Sequence, residues 1–322
     1  MLGAGGVLGG AWTAGALVAL QDRLNRPLGT LDLIVGTSAG SVLAAALRCG
    51  ITVEQIMGHQ RGASIQGLPH LSELDRDAGP LPPLPRLRMG SPCLLATTAL
   101  APHRVHPWVA ASSLMPRGRG TLRNLTSLVD AMHGSGRGWP AGETWIVAVD
   151  YARGRRVAFG RAGTPSVPLA DAVVASCSIP GWYEPKIIAG RPYVDGGVRS
   201  STSLDLLARA GLDEVYVLAP MASAVLDRPW NPAAALERMV RRVVTARLDQ
   251  EAAKVRAVGT RVTVLTPGPE DLAAMGANLM NPRPRPRVLD VSLRTSALAL
   301  RTGPPTVATA AAGTMAAVAA AA

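Results

Sequence analysis

The sequence predicts an α/β domain built on a largely parallel sheet. Three observations predict it. Short apolar runs of strand length recur along the chain, at "LDLIVG", "TWIVAVDY", "LDEVYVLAP" and "TRVTVLTP". Segments of helical length and composition separate them. The 322 residues, 48% of them hydrophobic, suffice for one large core or two small ones.

Each element has a local reason. The glycine-rich opening "GAGGVLGG" leads into a helical run near Ala11 to Leu24. "LDLIVG" reads as a buried strand, and "SVLAAALRCG" as a helix ending at Gly50. "TWIVAVDY" and "RRVAFG" are strand-like and predict a hairpin across Ala152 to Gly154. "PLADAVVASCSIP" is a helix stopped by Pro180. "RPYVDGG" is a strand that runs into a glycine turn. Two further buried strands enclose a long amphipathic helix, with Asn231 as its N-cap and Pro232 at its first position. A basic proline-rich turn, "NPRPRPRVLDV", precedes a last helix. The stretch from Gly67 to Arg119 is rich in Pro and Leu and predicts an irregular insertion, either a lid or a padded surface loop. Residues 1–300 are expected to form one domain, and 301–322 an alanine-rich tail.

The net charge is +11 and the pI about 10.8. A basic surface attracts anionic lipid or nucleic acid. The codon bias of a GC-rich genome produces the same arginine excess, and the arginines are scattered rather than blocked. No zinc module, helix-turn-helix signature or aromatic RNA platform is legible, so nucleic-acid binding is not indicated. Cys49, Cys93 and Cys177 are odd in number and lack CxxC spacing, which argues against a disulfide framework or zinc site and fits a reducing compartment. The first twenty residues carry no charge, but they hold six glycines and no positive leader. They are read as neither signal peptide nor span. A cytoplasmic location is expected, with peripheral contact at an anionic membrane as an option. No cofactor or metal is expected, and the oligomeric state is open.

Chemistry concentrates at Gly36-Thr37-Ser38-Ala39-Gly40. G-x-S-x-G between a strand and a helix has the form of a nucleophile elbow. Gly36 and Gly40 remove side chains where the backbone turns, and Ser38 sits at a helix N-terminus that favours developing negative charge. The competing explanation is an ordinary turn in which the serine caps the helix. The loop Gly3 to Gly10 offers successive backbone N–H groups suited to an oxyanion hole. A dinucleotide fingerprint at Gly3, Gly5 and Gly9 is the rival. It lacks both a full preceding strand and the acidic residue about 20 positions on. The histidines His59, His70, His103, His106 and His133 all precede "TWIVAVD", so none follows a late strand as the base of an ordinary triad would. "VDGG", Val194 to Gly197, offers a carboxylate at a strand end instead; alone, Asp195 would be an ordinary Asp-Gly turn.

Taken together, "GAGGVLGGAW", "GTSAG", "ASCSIPGWYEP" and "DGG", in this order, resemble the patatin-like phospholipases over Leu2 to Gly197. The resemblance implies a three-layer α/β/α fold and a Ser–Asp dyad without histidine. Carried over, Ser38 is the nucleophile and Asp195 its base. The backbone N–H groups of Gly5, Gly6 and Val7 form the oxyanion hole, and Gly9, Gly36, Gly40, Gly196 and Gly197 are the motif glycines. The implied reaction is hydrolysis of a lipid acyl ester through an acyl-enzyme. Two alternatives stay open: a membrane- or partner-binding module with a degenerate dyad, and a thioesterase or acyltransferase. Two departures are visible. The positive residue often found in the family's glycine loop is replaced by Leu8 and Gly9. The strand that should precede the loop is reduced to Met1 and Leu2, so either the chain starts further upstream or the sheet lacks that strand, and a longer form is expected to be more stable.

Overall fold

The computed structural model describes residues 1–78, 81–84, 86–134, 138–225 and 229–302; of the tail expected at 301–322, the first two residues end the last helix and 303–322 lie outside the described residues. The first half holds α1 (Gly6–Leu24), β1 (Leu33–Thr37), α2 (Ala39–Arg48), α3 (Val53–Gln60), α4 (Leu71–Ala78), β2 (Arg86–Met89), α5 (Pro92–Leu100), α6 (Pro107–Ser112), β3 (Pro116–Arg117) and α7 (Arg123–His133). The second half holds β4 (Glu143–Asp150), β5 (Arg155–Phe159), α8 (Leu169–Cys177), β6 (Lys186–Ile188), β7 (Arg191–Asp195), β8 (Glu214–Leu218), α9 (Pro232–Arg256), β9 (Arg261–Leu265), α10 (Pro269–Met275) and α11 (Arg285–Thr302).

The strands form a mixed sheet around β4. β1 runs parallel to β4, while β5 and β7 run antiparallel to it and β6 pairs with β7. β8 and β9 are a parallel pair. Met1–Gly3 joins that pair to β1. Leu2 N–H donates to Val35 O at 2.7 Å and Leu2 O accepts from Thr37 N–H at 3.0 Å, while Gly3 N–H donates to Leu218 O at 2.9 Å. The strand expected before the glycine loop is thus represented by these three residues. Below them an apolar slot of about 90 Å³ separates β1 from β8. The Met1 ammonium donates to Tyr216 O at 2.8 Å, and burial pushes its pKa down to about 5. The parallel character predicted from the sequence holds on this side of the sheet. The hairpin β4–β5 and the return of β7 make the other side antiparallel.

Side chains alternate along β4 and divide the core in two. Ile146 and Ala148 face α1, α2, α7, α8 and α11, whereas Trp145 and Val147 face Leu248, Ala252 and Val255 of α9. This arrangement is three-layered. α1 is buried on nearly every side despite its glycines, and α11 packs along it, with the Ser292 hydroxyl donating to Trp12 O at 2.6 Å.

The segment 67–119, expected to be irregular, instead carries α4, α5, α6 and the β2–β3 pair. The reason is burial. Leu94, Val105 and Val109 cover Val149, Tyr151 and Val194, the part of the second sheet face that α9 does not reach. The Tyr151 hydroxyl donates to Ser112 O, and the Ser91 hydroxyl to Tyr151 O, both at 2.6 Å. At the other end of the sheet, Gly40 packs directly on the N-terminal bridge. A Cβ there would stand 2.2 Å from Leu2 O, closer than any side chain allows.

Candidate active site

Ser38 is the single residue between the end of β1 and the start of α2. Its backbone lies at φ 53° and ψ −125°, a conformation that costs an L-residue roughly 1–3 kcal/mol. Its side chain makes no capping bond to α2, so the simple N-cap explanation of this serine does not hold. Other serines fix the turn. Ser38 N–H donates to Ser176 Oγ at 2.8 Å, and the Ser176 hydroxyl donates onward to Val147 O at 2.6 Å. The Ser41 hydroxyl donates to Ser38 O at 2.6 Å.

Asp195 ends β7. Consecutive residues of β4, Val147 and Ala148, are the partners of Thr37 and Asp195 respectively. The same two residues pair across the opposite edge with Ala158 and Val157 of β5. β1 and β7 therefore lie end to end along one edge of β4, with Ser38 and Asp195 at the junction. The carboxyl is 4% exposed. Burial pushes its pKa up to about 6, while hydrogen bonding from the Ser38 hydroxyl and from Gly197 N–H, the latter at 2.7 Å, holds the rise back.

The glycine loop reaches the same place. Gly3, Ala4 and Leu8 donate their N–H groups to Leu218, Ser201 and Leu279 carbonyls. Those of Gly5, Gly6 and Val7 meet no acceptor among the described residues. α1 begins at Gly6, so these amides stand at a helix N-terminus. Gly6 has φ 59°, and a Cβ there would meet Met280 Sδ at 2.9 Å. Gly9 takes no part in the opening, because its N–H closes the first helical bond to Gly5 O at 2.9 Å.

A cavity of about 170 Å³ opens beside Ser38, Gly6 and Val7. Its walls are mainly apolar: Val42 and Leu43 of α2, Leu71 and Leu74 of α4, Leu125 and Leu128 of α7, and Tyr183. A cavity of about 150 Å³ takes a benzene-sized guest, so this one has room for a short acyl group. No histidine lines it. Cys177 does, with Sγ 3.7 Å from Ser41 Oγ. Burial and the Asp195 charge push that thiol far above its ordinary value, so it stays protonated and weakly nucleophilic at neutral pH. Three polar residues of the cavity, Gln60, Asp75 and Arg285, escaped the sequence analysis. Arg285 of α11 donates to both carboxylate oxygens of Asp75 in α4. A contact across 210 positions leaves no local signal. Ser176 was legible only as part of "ASCSIP".

The family model described as patatin-like phospholipase matches residues 1–63 and 146–208. The two segments contain the glycine loop, Ser38 and Asp195, and omit the whole of the insertion. No curated protein matches the sequence. Among solved structures, VipD from Legionella pneumophila aligns with 15% identity and a TM-score of 0.45, over 92% of this chain and 66%, just under two thirds, of that one.

Asp195 carries a stability consequence. Its folded pKa of about 6 lies above the ordinary 3.8, so the native state is penalised by the ionised form. The difference amounts to ~3 kcal/mol, absent below pH ~4 and fully present above pH ~6. Asp195→Asn should therefore raise the melting temperature at pH 8 and leave it unchanged near pH 3.5. Thermal melts at the two pH values check this, and an equal or opposite change at both would contradict it.

Proposed function

We propose that this chain, patatin-like by its family match over residues 1–63 and 146–208, is a serine lipid acyl hydrolase working through Ser38 and Asp195. The match supports lipid acyl hydrolysis in general. The assignment of individual residues is our reading of the site. The observation that carries it is the junction on β4: a serine in a strained turn, its hydroxyl not used as a cap, beside a buried carboxylate.

In this reading Ser38 Oγ attacks the ester carbonyl and Asp195 accepts its proton. The carbonyl oxygen gains negative charge as the tetrahedral intermediate forms. The N–H groups of Gly5, Gly6 and Val7 receive it in this reading, and no positive side chain is needed from Leu8 or Gly9. Collapse expels the alcohol, which takes the proton back from Asp195. Asp195 then removes a proton from water as it attacks the acyl-serine, and release of the acid restores the hydroxyl. Peripheral contact with lipid is part of the proposal. Leu100, Trp108 and Leu114 of the insertion are 87%, 60% and 62% exposed. The neighbouring Met115 reaches Gly181, between the cavity residues Ile179 and Tyr183.

A fluorophosphonate probe should label the wild-type protein and not Ser38→Ala. Turnover of a short p-nitrophenyl ester should fall at least about a thousandfold in the variant. Absence of labelling in the wild type would favour a binding module with a degenerate dyad. The Ser38→Ala protein should still sediment with anionic vesicles at low ionic strength and dissociate as salt is raised. Failure to sediment at low salt would remove membrane contact from the account.

A further inference from the structure

We propose that the seam between α9 and the insertion, on the sheet face away from the Ser38 cavity, binds a small soluble oxyanion such as inorganic phosphate, held by Arg199, Arg247 and His106. The site is separate from the reaction at Ser38 and does not depend on it.

Three guanidinium groups meet in this seam with two carboxylates. Arg156 of β5 donates from Nη1 and Nη2 to Oδ1 and Oδ2 of Asp205, each at 2.6 Å. Arg247 of α9 donates from Nε to Glu251 Oε1 at 3.1 Å. Glu251 is 1% exposed, and its other oxygen accepts from the Thr202 hydroxyl at 3.1 Å and from Leu204 N–H at 2.9 Å. Every carboxylate oxygen of the cluster therefore has a donor, and none of those donors is Arg199. Arg199 Nη1 is buried and meets no acceptor. Burial, then the charges of Arg247 and Arg156, push the Arg199 pKa down to about 10, so it stays a cation at neutral pH. Two carboxylates balance two of the three arginines, and Arg199 is left over.

His106 supplies a second unmatched group. It precedes α6, and its Nδ1 is buried without a partner. Burial and the charges of Arg199, Arg247 and Arg156 push its pKa down to about 4, so the ring is neutral and can offer one N–H. Val198 packs on the insertion residues Val105 and Val109, which brings Arg199 toward α6.

A buried donor and an uncompensated cation both destabilise the state that contains them. One oxyanion removes both costs. Its oxygens point several ways and can accept from Arg199 Nη1, from the ring of His106 and from the Nη groups of Arg247, which take no part in the Glu251 pair. Arg199, Arg247 and His106 are each half-buried, so the mouth of the seam admits a small ion. The unmatched atoms lie below the surface, out of reach of a headgroup fixed in a bilayer plane. A bound ion would tie the insertion to the turn after Asp195, where Arg199 N–H donates to Gly196 O at 3.0 Å.

The test melts the full chain with sodium phosphate replacing sodium chloride at constant ionic strength, and measures phosphate binding by calorimetry. The wild-type melting temperature should rise saturably, with a Kd of about 1 mM or tighter. Arg199→Met removes the surplus charge. It should melt above wild type without phosphate and lose the phosphate response, a reversal that a merely structural arginine would not give. Arg199→Lys should bind at least about tenfold more weakly than wild type. His106→Ala should weaken binding a few fold, and these two variants decide the matter if Arg199→Met does not fold. No calorimetric binding at about 10 mM phosphate, or an equal response in wild type and Arg199→Met, would overturn the proposal. A melt that chloride raises as much as phosphate does would reduce the effect to screening and overturn it too. Arg199-dependent sedimentation with phosphatidic acid vesicles, with no response to inorganic phosphate, would assign the cluster to a lipid surface and overturn the soluble ligand. Loss of phosphate binding once Ser38 carries a fluorophosphonate would place the ion in the catalytic cavity and overturn the separate site.

Discussion

β4 shares one edge between two strands. β1 arrives parallel and stops at Val147, and β7 arrives antiparallel and stops at Ala148. Because β5 takes the other edge over the same residues, the two chain ends have nowhere to go except toward each other. The serine that follows β1 and the aspartate that ends β7 meet for that reason. The turn after β1 then needs its own support, which Ser176 supplies by linking Ser38 N–H to Val147 O. Much of the remaining fold maintains this meeting: α2 and α8 behind the turn, the glycine loop in front, and α9 with the insertion beneath the sheet.

The arrangement holds two destabilising features. Ser38 has a positive φ, and Asp195 is buried with a raised pKa. Both work against stability, and in the proposed mechanism they together prepare a hydroxyl for deprotonation. A carboxyl held near pH 6 is a stronger base than a solvated aspartate and remains ionised at neutral pH. In that proposal, burial does for Asp195 what the imidazole does in a triad. No histidine lines the cavity, whose mainly apolar walls also carry Gln60, Cys177 and the Asp75–Arg285 pair.

What the sequence revealed and what it hid divide along physical lines. Features set by a few adjacent residues were legible. The elbow around Ser38, the turn at Asp195, the β4–β5 hairpin across Ala152 to Gly154 and the start of α9 at Asn231-Pro232 all depend on glycine, proline or capping chemistry at fixed spacing. The insertion was misread because its prolines obscure any helical period. Its order comes from Leu94, Val105 and Val109 covering Val149 and Val194, a contact between distant segments. Asp75 and Arg285 stand 210 positions apart with no local signal, and only the packing of α4 near α11 brings them together. The amides proposed for the oxyanion hole sit between these cases: the glycines announce them, but which N–H groups stay free depends on the carbonyls of Leu218, Ser201 and Leu279.

The central claim is that Asp195, ionised and buried, draws the proton from Ser38. The pH dependence of fluorophosphonate labelling tests it most directly. The account predicts a rate that rises with pH and levels off, with a midpoint near 6. In Asp195→Asn the rate should be at least ~100-fold lower, with that limb gone. A wild-type rate that climbs without a midpoint up to pH 9, or an Asp195→Asn protein labelled as fast as wild type, would contradict it.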